Sequence, residues 1–506
     1  MTEPGWSIIE KRTVALVQEK PCYCPTPPFD PSEPYPEYRG PIGSEDNPAY
    51  RAIRKVFYLL GFDKDHFGTA LWNPLGDLIF PGNTVVVKPN WVCHENLGKR
   101  AYGLTDTDSL ITHGSIVRAV LEYVCLALKG RGKVILGDAP IQNTDWQALV
   151  RLTGAVEIIR QLRERFPGIQ FELTDFRLER AIVSGDRIVG KQRSFVDHNY
   201  LEVDLASESL LEPLLVEKNC CFGVANYGIN RMRQAHQPGR HIYLLRRETI
   251  EADVFINLPK IKTHSKAGIT CALKNLVGTV GMKDYLPHFR LGSPSQGGDE
   301  YPDGNWLWHL RWWLAHKEWG LDSGLLKLLL WAAERACGLI LRMLCGYPRD
   351  YFNLGGGGWF GNDTLWRTIL DLNRVFFYYD RLAGKVTDTP VRSIRYLAIA
   401  DGLIAGHRES PLSPTPVQMG IVLAAMNPVA LDAVASALMG FDVVKIPQIR
   451  ESFCIQRYPL AKFLPEEIEI VGLDGIAGIR DIYHKGYFVR CEPSYGWKGH
   501  IEYQEG

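Results

Sequence analysis

The sequence predicts an α/β fold, in which a mostly parallel sheet is covered by helices on both faces. Short β-branched runs such as NTVVVKPN, GKVILGDAP and DVFINLPK alternate with amphipathic stretches that have helical spacing. Several of these runs are continuously apolar, which is typical of strands buried on both sides in a parallel sheet. Strand, helix and strand with short links indicate right-handed crossover units. We also expect a Trp-rich helical hairpin inserted into this core.

Length and composition narrow the class of protein. The 506 residues suit two or three domains, or one domain with insertions. Lys+Arg and Asp+Glu are 57 each, so the chain has no basic bias and we expect no nucleic acid partner. The first residues, MTEPGWSIIEKR, have no apolar signal segment, and no uncharged apolar run is long enough to span a membrane. We therefore expect a cytoplasmic protein whose eleven cysteines are mostly reduced.

The predicted elements follow one another in a regular order. Eight prolines between residues 21 and 41 exclude helix and central strand there, so we expect residues 1–45 to form an extended arm on the surface or towards a partner. Helices are predicted at 48–61, 115–130, 146–166 and 428–441, and RSIRYLAIADGLIAG is a strand pair or a strand with a turn. We place the core at 46–300 and 391–450, the helical insertion at 301–390 and a C-terminal extension at 451–506.

Residues 304–346 interrupt the α/β pattern. Six of the thirteen tryptophans lie between Trp306 and Trp331, and apolar residues recur there at helical spacing with Arg, Lys and Glu between them. One interpretation is a packed helical subdomain. The other is an amphipathic hairpin that docks to a membrane surface or to a protein partner, because Trp mixed with basic residues is typical of such helices.

Polar residues follow the predicted strands at the edge where ligands bind in parallel α/β sheets. They are Lys88 and Asn90, then Asp138, then Lys260, Lys262 and His264, and finally Asp401. Asp138 and Asp401 have an alternative interpretation as helix or turn caps.

The densest cluster is VFINLPKIKTHSKAGITCALKNLVGTVGMKDYLPH, residues 254–288, which has five lysines and one acid, Asp284. Lys260, Lys262 and His264 are spaced by two, so an extended segment would place them on one face. Thr270, Lys274 and Asn275 follow at a predicted helix start, where backbone N–H groups favour an anion. A solvated surface is the alternative. We otherwise expect a small anionic ligand or cofactor to be bound by Lys88, Asn90, Asp138, Lys260, Thr270, Asn275 and Asp401.

Three residues are the predicted catalytic groups: Lys262, His264 and Lys274. A histidine transfers protons near neutral pH, and a lysine does so when burial or neighbouring cations lower its pKa. A divalent metal bound by His113, His264 and His288 is a further hypothesis, against which each histidine has a structural alternative; His113 could cap a helix. The identity of any cofactor is open, and no ferredoxin-type cysteine run is present.

The chain resembles the Domain of Unknown Function 362 family through VVVKPNWV, THGSIVRAV, VILGDAP, VFINLPKIKTHSKAGITCALKNLVG and IADGLIAGHRESPLSPTPVQMGIVLAAMNPVALDAVASALMGFDVVKIP. Some members carry an attached two-cluster ferredoxin module; the resemblance therefore implies redox chemistry, for which this chain would need an external electron-transfer partner. A second similarity is to the nickel-pincer lactate racemase family. It rests on KTH at 262–264 and CALKNLVGTVGMK at 271–283 and implies that His264 and Lys274 handle a cofactor or metal.

Two classes of function remain open from the sequence. One is an enzyme that binds a small anionic substrate at the Lys/His cluster and performs proton transfer, metal-assisted or redox chemistry. The other is a non-catalytic anion- or cofactor-binding assembly protein that docks through its hairpin. A third hypothesis, an iron–sulfur electron carrier, is disfavoured by the spacing of the cysteines.

Overall fold

A computed structural model describes residues 8–184, 187–193, 199–218, 220–321, 324–390 and 394–504. The first seven residues of the expected arm lie outside the described residues. The strands are β1 Thr13–Gln18, β2 Thr84–Pro89, β3 Gly132–Asp138, β4 Ile169–Asp175, β5 Glu179–Ser184, β6 Arg187–Arg193, β7 Tyr200–Asp204, β8 Phe222–Gly223, β9 His236–Gln237, β10 Arg240–Arg246, β11 Val254–Leu258, β12 Lys260–His264, β13 Gly268–Thr270, β14 Phe289–Arg290, β15 Tyr379–Asp380, β16 Lys385–Val386, β17 Arg395–His407, β18 Thr415–Ala425 and β19 Glu469–Val471.

The helices are α1 Pro48–Leu59, α2 Lys99–Tyr102, α3 Gly114–Leu128, α4 Trp146–Leu152, α5 Ala155–Arg165, α6 Glu212–Lys218, α7 Ile229–Ala235, α8 Arg247–Glu251, α9 Ala272–Asn275, α10 Trp306–Trp319, α11 Leu325–Leu344, α12 Leu365–Tyr378, α13 Pro428–Leu438, α14 Pro447–Arg450 and α15 Ile479–His484. The predicted helix over 146–166 is two helices, because Gly154 adopts φ +64° and ends the first helical run.

One large sheet organises the chain, and the predicted α/β class is confirmed. Its strand order is β19-β1-β18-β17-β11-β2-β3-β4, and β12 and β13 extend it beside β17. The stretch from β17 to β4 is parallel throughout, whereas β18 runs antiparallel to both neighbours. Continuous apolar strands arise because both faces are covered: α1, α3 and α5 pack on one face, and α9, α12 and α13 on the other.

The N-terminal and C-terminal segments both enter this sheet. Residues 13–18, which we expected in an extended arm, form β1 between β18 and β19, and β19 lies in the expected C-terminal extension. The proline-rich residues 21–41 contain no helix or strand, as predicted, but they pack on the core and bury Cys24, Phe29 and Tyr38. The arm therefore differs from the expected surface segment, and the proposed domain boundaries remain predictions.

The segment RSIRYLAIADGLIAG was expected to be a strand pair or a strand with a turn. From Arg395 onwards it is one strand, β17, with an irregularity between Gly402 and Ile404, and residues 391–393 lie outside the described residues. Asp401 and Gly402 are thus within a strand, and the turn-cap alternative for Asp401 is wrong.

The predicted Trp-rich hairpin is confirmed as α10 and α11. Trp308 and Trp312 are buried between the two helices and residues 347–352, with their rings 5.9 Å apart. Within the described residues, no helix is long and apolar enough to cross a membrane.

Candidate functional site

A cleft of about 1180 Å³ opens where β2, β3 and β12 end. Its floor carries most of the residues that the sequence placed at strand ends. Those residues are Lys88, Asn90, Asp138, Lys262, His264, Thr270, Lys274, Asn275 and His288. The carboxyl ends of parallel strands meet at one edge of a sheet, which is why separate apolar runs deliver these side chains to one place.

Lys88 is the fixed centre of this floor. Its buried ammonium donates to Asp138 Oδ1 over 2.8 Å, and to Pro89 O and Asn275 Oδ1 over 3.0 Å each. Asp138 Oδ2 in turn accepts the backbone N–H of Trp91 over 2.7 Å. All three ammonium protons are used, so Lys88 orders the floor and leaves no proton for a ligand.

Beside the cleft, three asparagines are linked by hydrogen bonds, and two nearby polar atoms have no partner among the described residues. Asn90 Nδ2 donates to Asn275 Oδ1 over 3.0 Å, and Asn275 Nδ2 donates to Asn257 Oδ1 over 2.7 Å. Asn90 Oδ1 and Thr270 Oγ1 are buried beside the cleft and have no hydrogen-bond partner in the described part of the chain. Such atoms are uncommon in folded proteins, and a bound molecule is one way to satisfy them.

Four further lysines line the cleft, and they differ in the hydrogen bonds that their side chains make. Lys262 donates to the carbonyls of Leu110 and Pro411, and Lys283 donates to Ala139 O over 3.2 Å. Lys266 and Lys274 have no side-chain hydrogen bond or ion pair to any residue that the structure describes. Two lysine side chains therefore face the cleft without a hydrogen-bond acceptor in the described part of the chain, although Lys266 Nζ lies 5.7 Å from the centre of the Phe289 ring.

Burial and mutual repulsion lower the pKa values of these lysines. Removal from water, and then the charges of Lys283 and Lys266, lower the pKa of Lys274 to about 7. Burial lowers the pKa of Lys266 to about 8, against the opposing charge of Glu300, and that of Lys283 to about 8, against Asp138. Burial, followed by Lys260 and Lys274, holds the pKa of Lys262 well below its usual value.

The two cleft histidines present different nitrogens. His264 Nδ1 accepts the backbone N–H of Lys266 over 3.0 Å, which assigns its proton to Nε2. His288 Nδ1 donates to Leu286 O over 2.7 Å, which assigns a lone pair to Nε2. Burial, and then the neighbouring lysines, hold both pKa values well below the usual range, so both rings are neutral near pH 7.

Three predicted site residues lie away from the cleft. Lys260 donates to Asp401 Oδ2 over 3.0 Å and to the hydroxyl of Tyr23 over 2.7 Å, with Lys260 and Asp401 fully buried. His113 stacks on Tyr23 and caps α3 by accepting the backbone N–H of Ser115 over 3.1 Å. The cap alternative for His113 is therefore the observed one, and the expected grouping of Lys260 and Asp401 with the cleft residues is wrong.

Two of the three histidines predicted to bind a metal are not available for that role in this structure. His113 belongs to the buried Tyr23 network, and Nε2 of His264 carries a proton. Among the described residues, no group of three or more His, Cys, Asp or Glu side chains could hold a metal ion. The donors present do not fit the predicted three-histidine site.

The N-terminus of α9 does not point at a ligand. Asp432 on α13 accepts the backbone N–H of Ala272 over 2.6 Å and that of Leu273 over 3.2 Å. The anion expected at this helix start is a carboxylate of the chain itself, so the expectation of a ligand there is wrong.

Sequence reasoning missed several residues of the cleft. Lys266 and Lys283 lie in the same basic stretch, and counting its lysines against its single acid would have found them. Trp312 and Trp319 of the hairpin also line the cleft, together with Tyr227. No sequence pattern links 306–319 to the strand ends, because their proximity depends on the tertiary placement of the insertion.

Residues 205–437 match the family described as Domain of unknown function (DUF362), and over these residues the predicted resemblance is confirmed. Lys88, Asn90 and Asp138 precede that region. No curated protein matches the chain. A crystal structure of a protein from Thermotoga maritima is similar with 11% identity and a TM-score of 0.27; the alignment covers 71% of this chain and 55% of that one. The chain thus spans about half of that protein. The similarity to lactate racemases stays a prediction.

Proposed function

We propose that the cleft binds a small anionic molecule, such as a carboxylate or a phosphate. The observation that carries the proposal is the pair of free ammonium groups on Lys266 and Lys274. A buried charge without a partner is costly, and an anion would supply both the missing charge and the missing acceptors. Lys262 and Lys283 donate to backbone carbonyls, which hold their side chains around the same space.

The two oxygens without a hydrogen-bond partner restrict the chemical class of the proposed ligand further. Asn90 Oδ1 is an amide carbonyl oxygen and can only accept, whereas Thr270 Oγ1 can donate or accept. A molecule that carries a hydroxyl group beside its anionic group would satisfy both sets of atoms. A hydroxy acid is the simplest such molecule.

The same groups are suited to proton transfer. Lys274 has a pKa of about 7, so a large fraction is a neutral amine near neutral pH and can act as a base. His264 offers an N–H and His288 a lone pair, which gives one donor and one acceptor beside the lysine. Lys262 donates to two backbone carbonyls, which hold its side chain in place, so we assign it to positioning rather than to carrying the proton. We therefore favour an enzyme that moves a proton on a hydroxy-acid-like anion.

Binding is tested by calorimetry near neutral pH with citrate, pyrophosphate and inorganic phosphate. We expect at least one of these probes to bind the wild type. Lys266→Met and Lys274→Met should each weaken that binding about 10- to 100-fold, as expected for a hydrogen bond to a charged group worth about 1.5–3 kcal/mol. Lys385→Met, at an exposed site on β16, is the matched control. Equal affinity in all four proteins, or no binding of any probe, would contradict an anion site.

Proton transfer is tested separately in D2O with lactate and malate, by following loss of the C2 proton in the ¹H NMR spectrum. Exchange in the wild type that is lost in Lys274→Met supports the enzyme. Binding without exchange would favour the non-catalytic anion-binding protein. Redox chemistry with an external partner remains a proposal from the family resemblance alone. Docking through the hairpin is a separate proposal, since its outer face does not line the cleft.

A further inference from the structure

The outer face of α11 is apolar from end to end. Only Cys337 and Leu341 of this helix are buried. Its most exposed apolar side chains include Leu325 at 71%, Leu329 at 57%, Leu339 at 57% and Met343 at 71%. These positions follow the helical repeat along one side, so they form a continuous stripe.

Helix α10 extends the same kind of surface. Trp306 is 75% exposed and Trp313 is 53% exposed, and Leu310 lies between them on the same side of the helix. Exposed tryptophans are unusual on a water-facing helix and are typical of the boundary between water and lipid. The hairpin thus has two contrasting faces: Trp312 and Trp319 line the cleft, and the apolar side chains on the outer face are largely exposed.

Charge is distributed unevenly over the hairpin. The two acidic residues of α10 and α11 are mostly buried, with Glu334 paired to Arg311 over 2.7 Å and Glu318 paired to Lys327 over 3.5 Å. Arg342 and Lys317 are exposed at the edge of the apolar stripe. Arg335 is also exposed, but it lines the cleft and its Nε lies 3.7 Å from Glu334. Among the described residues of the two helices, the exposed charges beside the apolar side chains are therefore the positive ones of Arg342 and Lys317.

We propose that the outer face of α10 and α11 binds an anionic lipid surface, with the two helices lying in the plane of the interface. Apolar side chains enter the acyl boundary, tryptophans lie at the headgroup level, and the basic edge contacts anionic headgroups. The hairpin presents a broad apolar face rather than a groove, and its charges are complementary to anionic lipid; both features favour a membrane over a single protein partner.

The proposal is tested by co-sedimentation of the full chain with vesicles. One set is phosphatidylcholine alone, and the other contains about one-third phosphatidylglycerol. We expect the wild type to bind the anionic vesicles more tightly. The double variant Leu329→Gln, Leu339→Gln should reduce binding at least tenfold, because two leucines can no longer enter the acyl region. Arg342→Gln should reduce binding to the anionic vesicles about fivefold.

Two controls use exposed residues outside the hairpin. Leu382→Gln changes a leucine that is 92% exposed, and Arg480→Gln changes an exposed arginine; both should bind vesicles like the wild type. Failure of the wild type to bind either vesicle would overturn the proposal. So would a dimer in solution that the double variant converts to a monomer without vesicle binding, which would assign the surface to self-association. Calorimetry with the anionic probes reports the cleft independently, since none of these variants changes its lining.

Discussion

The carboxylate of Asp432 accepts the backbone N–H of Ala272 with 2.6 Å between Oδ1 and N. The two residues are 160 positions apart, and the contact ties α13 to the first turn of α9, directly beside the cleft lysine Lys274. Because Asp432 also accepts the N–H of Leu273, one side chain satisfies two buried donors that would otherwise have no partner.

Removing that carboxylate should be costly. Asp432→Ala leaves two backbone N–H groups unsatisfied in the core, so we expect a loss of about 2–4 kcal/mol in the free energy of unfolding, measured by urea titration. Asp442→Ala is the control, because Asp442 caps a single surface turn through Val444 and should cost about 1 kcal/mol or less. Equal losses in the two variants would contradict the role assigned to Asp432.

Stability should rise with pH above neutrality. The pKa values of Lys266, Lys274 and Lys283 in the folded protein, about 8, 7 and 8, lie below the ordinary value of 10.5. Between about pH 7 and 10 the unfolded chain therefore binds more protons than the folded one, which increases the stability of the folded state as pH rises. Below about pH 7 these lysines are protonated in both the folded and the unfolded chain, so they no longer change the stability with pH. Urea midpoints across this range should rise less steeply for Lys274→Met, and an unchanged slope would refute the assignment.

Tyr23 should matter for stability and not for binding. Its hydroxyl donates to Asp401 and accepts from Lys260 over 2.7 Å and from the backbone N–H of Ile404 over 3.2 Å. Tyr23→Phe leaves this buried ion pair incompletely bonded, so we expect a loss of about 1–3 kcal/mol in unfolding free energy with unchanged affinity for the anionic probes. Tyr58→Phe, at a partly exposed site, should be neutral. A loss of probe binding in Tyr23→Phe would contradict this separation and connect the Tyr23–Lys260–Asp401 network to the cleft.

Gly278 is a position where the cleft cannot accept a side chain. A Cβ there would overlap Asp138 Oδ1 and lie 2.6 Å from Lys88 Nζ. Gly278→Ala should therefore displace the Lys88–Asp138 pair, destabilise the fold by about 1–3 kcal/mol and weaken probe binding. Gly338→Ala on α11 is the matched control: its Cβ would meet only ordinary contacts, and helix propensity should make it neutral or slightly stabilising. Wild-type binding in Gly278→Ala would contradict this geometry.

Much of the cleft could be predicted because the geometry of a parallel sheet is regular. Lys88, Asp138 and Lys262 follow separate apolar runs, and knowing that the runs are parallel strands is enough to bring their ends together. Lys260 could not be separated from Lys262 in this way. The pairing of β12 with β17 shifts register between them, with Lys260 opposite Asp401 and Lys262 opposite Gly406. That irregularity has no periodic signal in the sequence.

Other contacts depend on long-range packing that local patterns do not encode. Tyr23 comes from a proline-rich segment with no periodicity, so its insertion beside Asp401 could not be inferred. The anion at the start of α9 was predicted as a type of group but not as Asp432, because a backbone N–H donates equally well to a ligand and to a distant carboxylate. The hairpin was predicted as an element, whereas the proximity of its inner face to the lysines was not.

The position of β1 has a consequence for the order of synthesis. Val14 pairs with Ala425 and Ile470. The strand β1 is therefore synthesised well before either of its two neighbouring strands. At about 5–20 residues per second, roughly 20–80 s pass on the ribosome before the first of these partners is made. During that time an apolar strand of the emerging chain has no native neighbour, and a chaperone that shields residues 13–18 would act on the nascent protein rather than on the finished one.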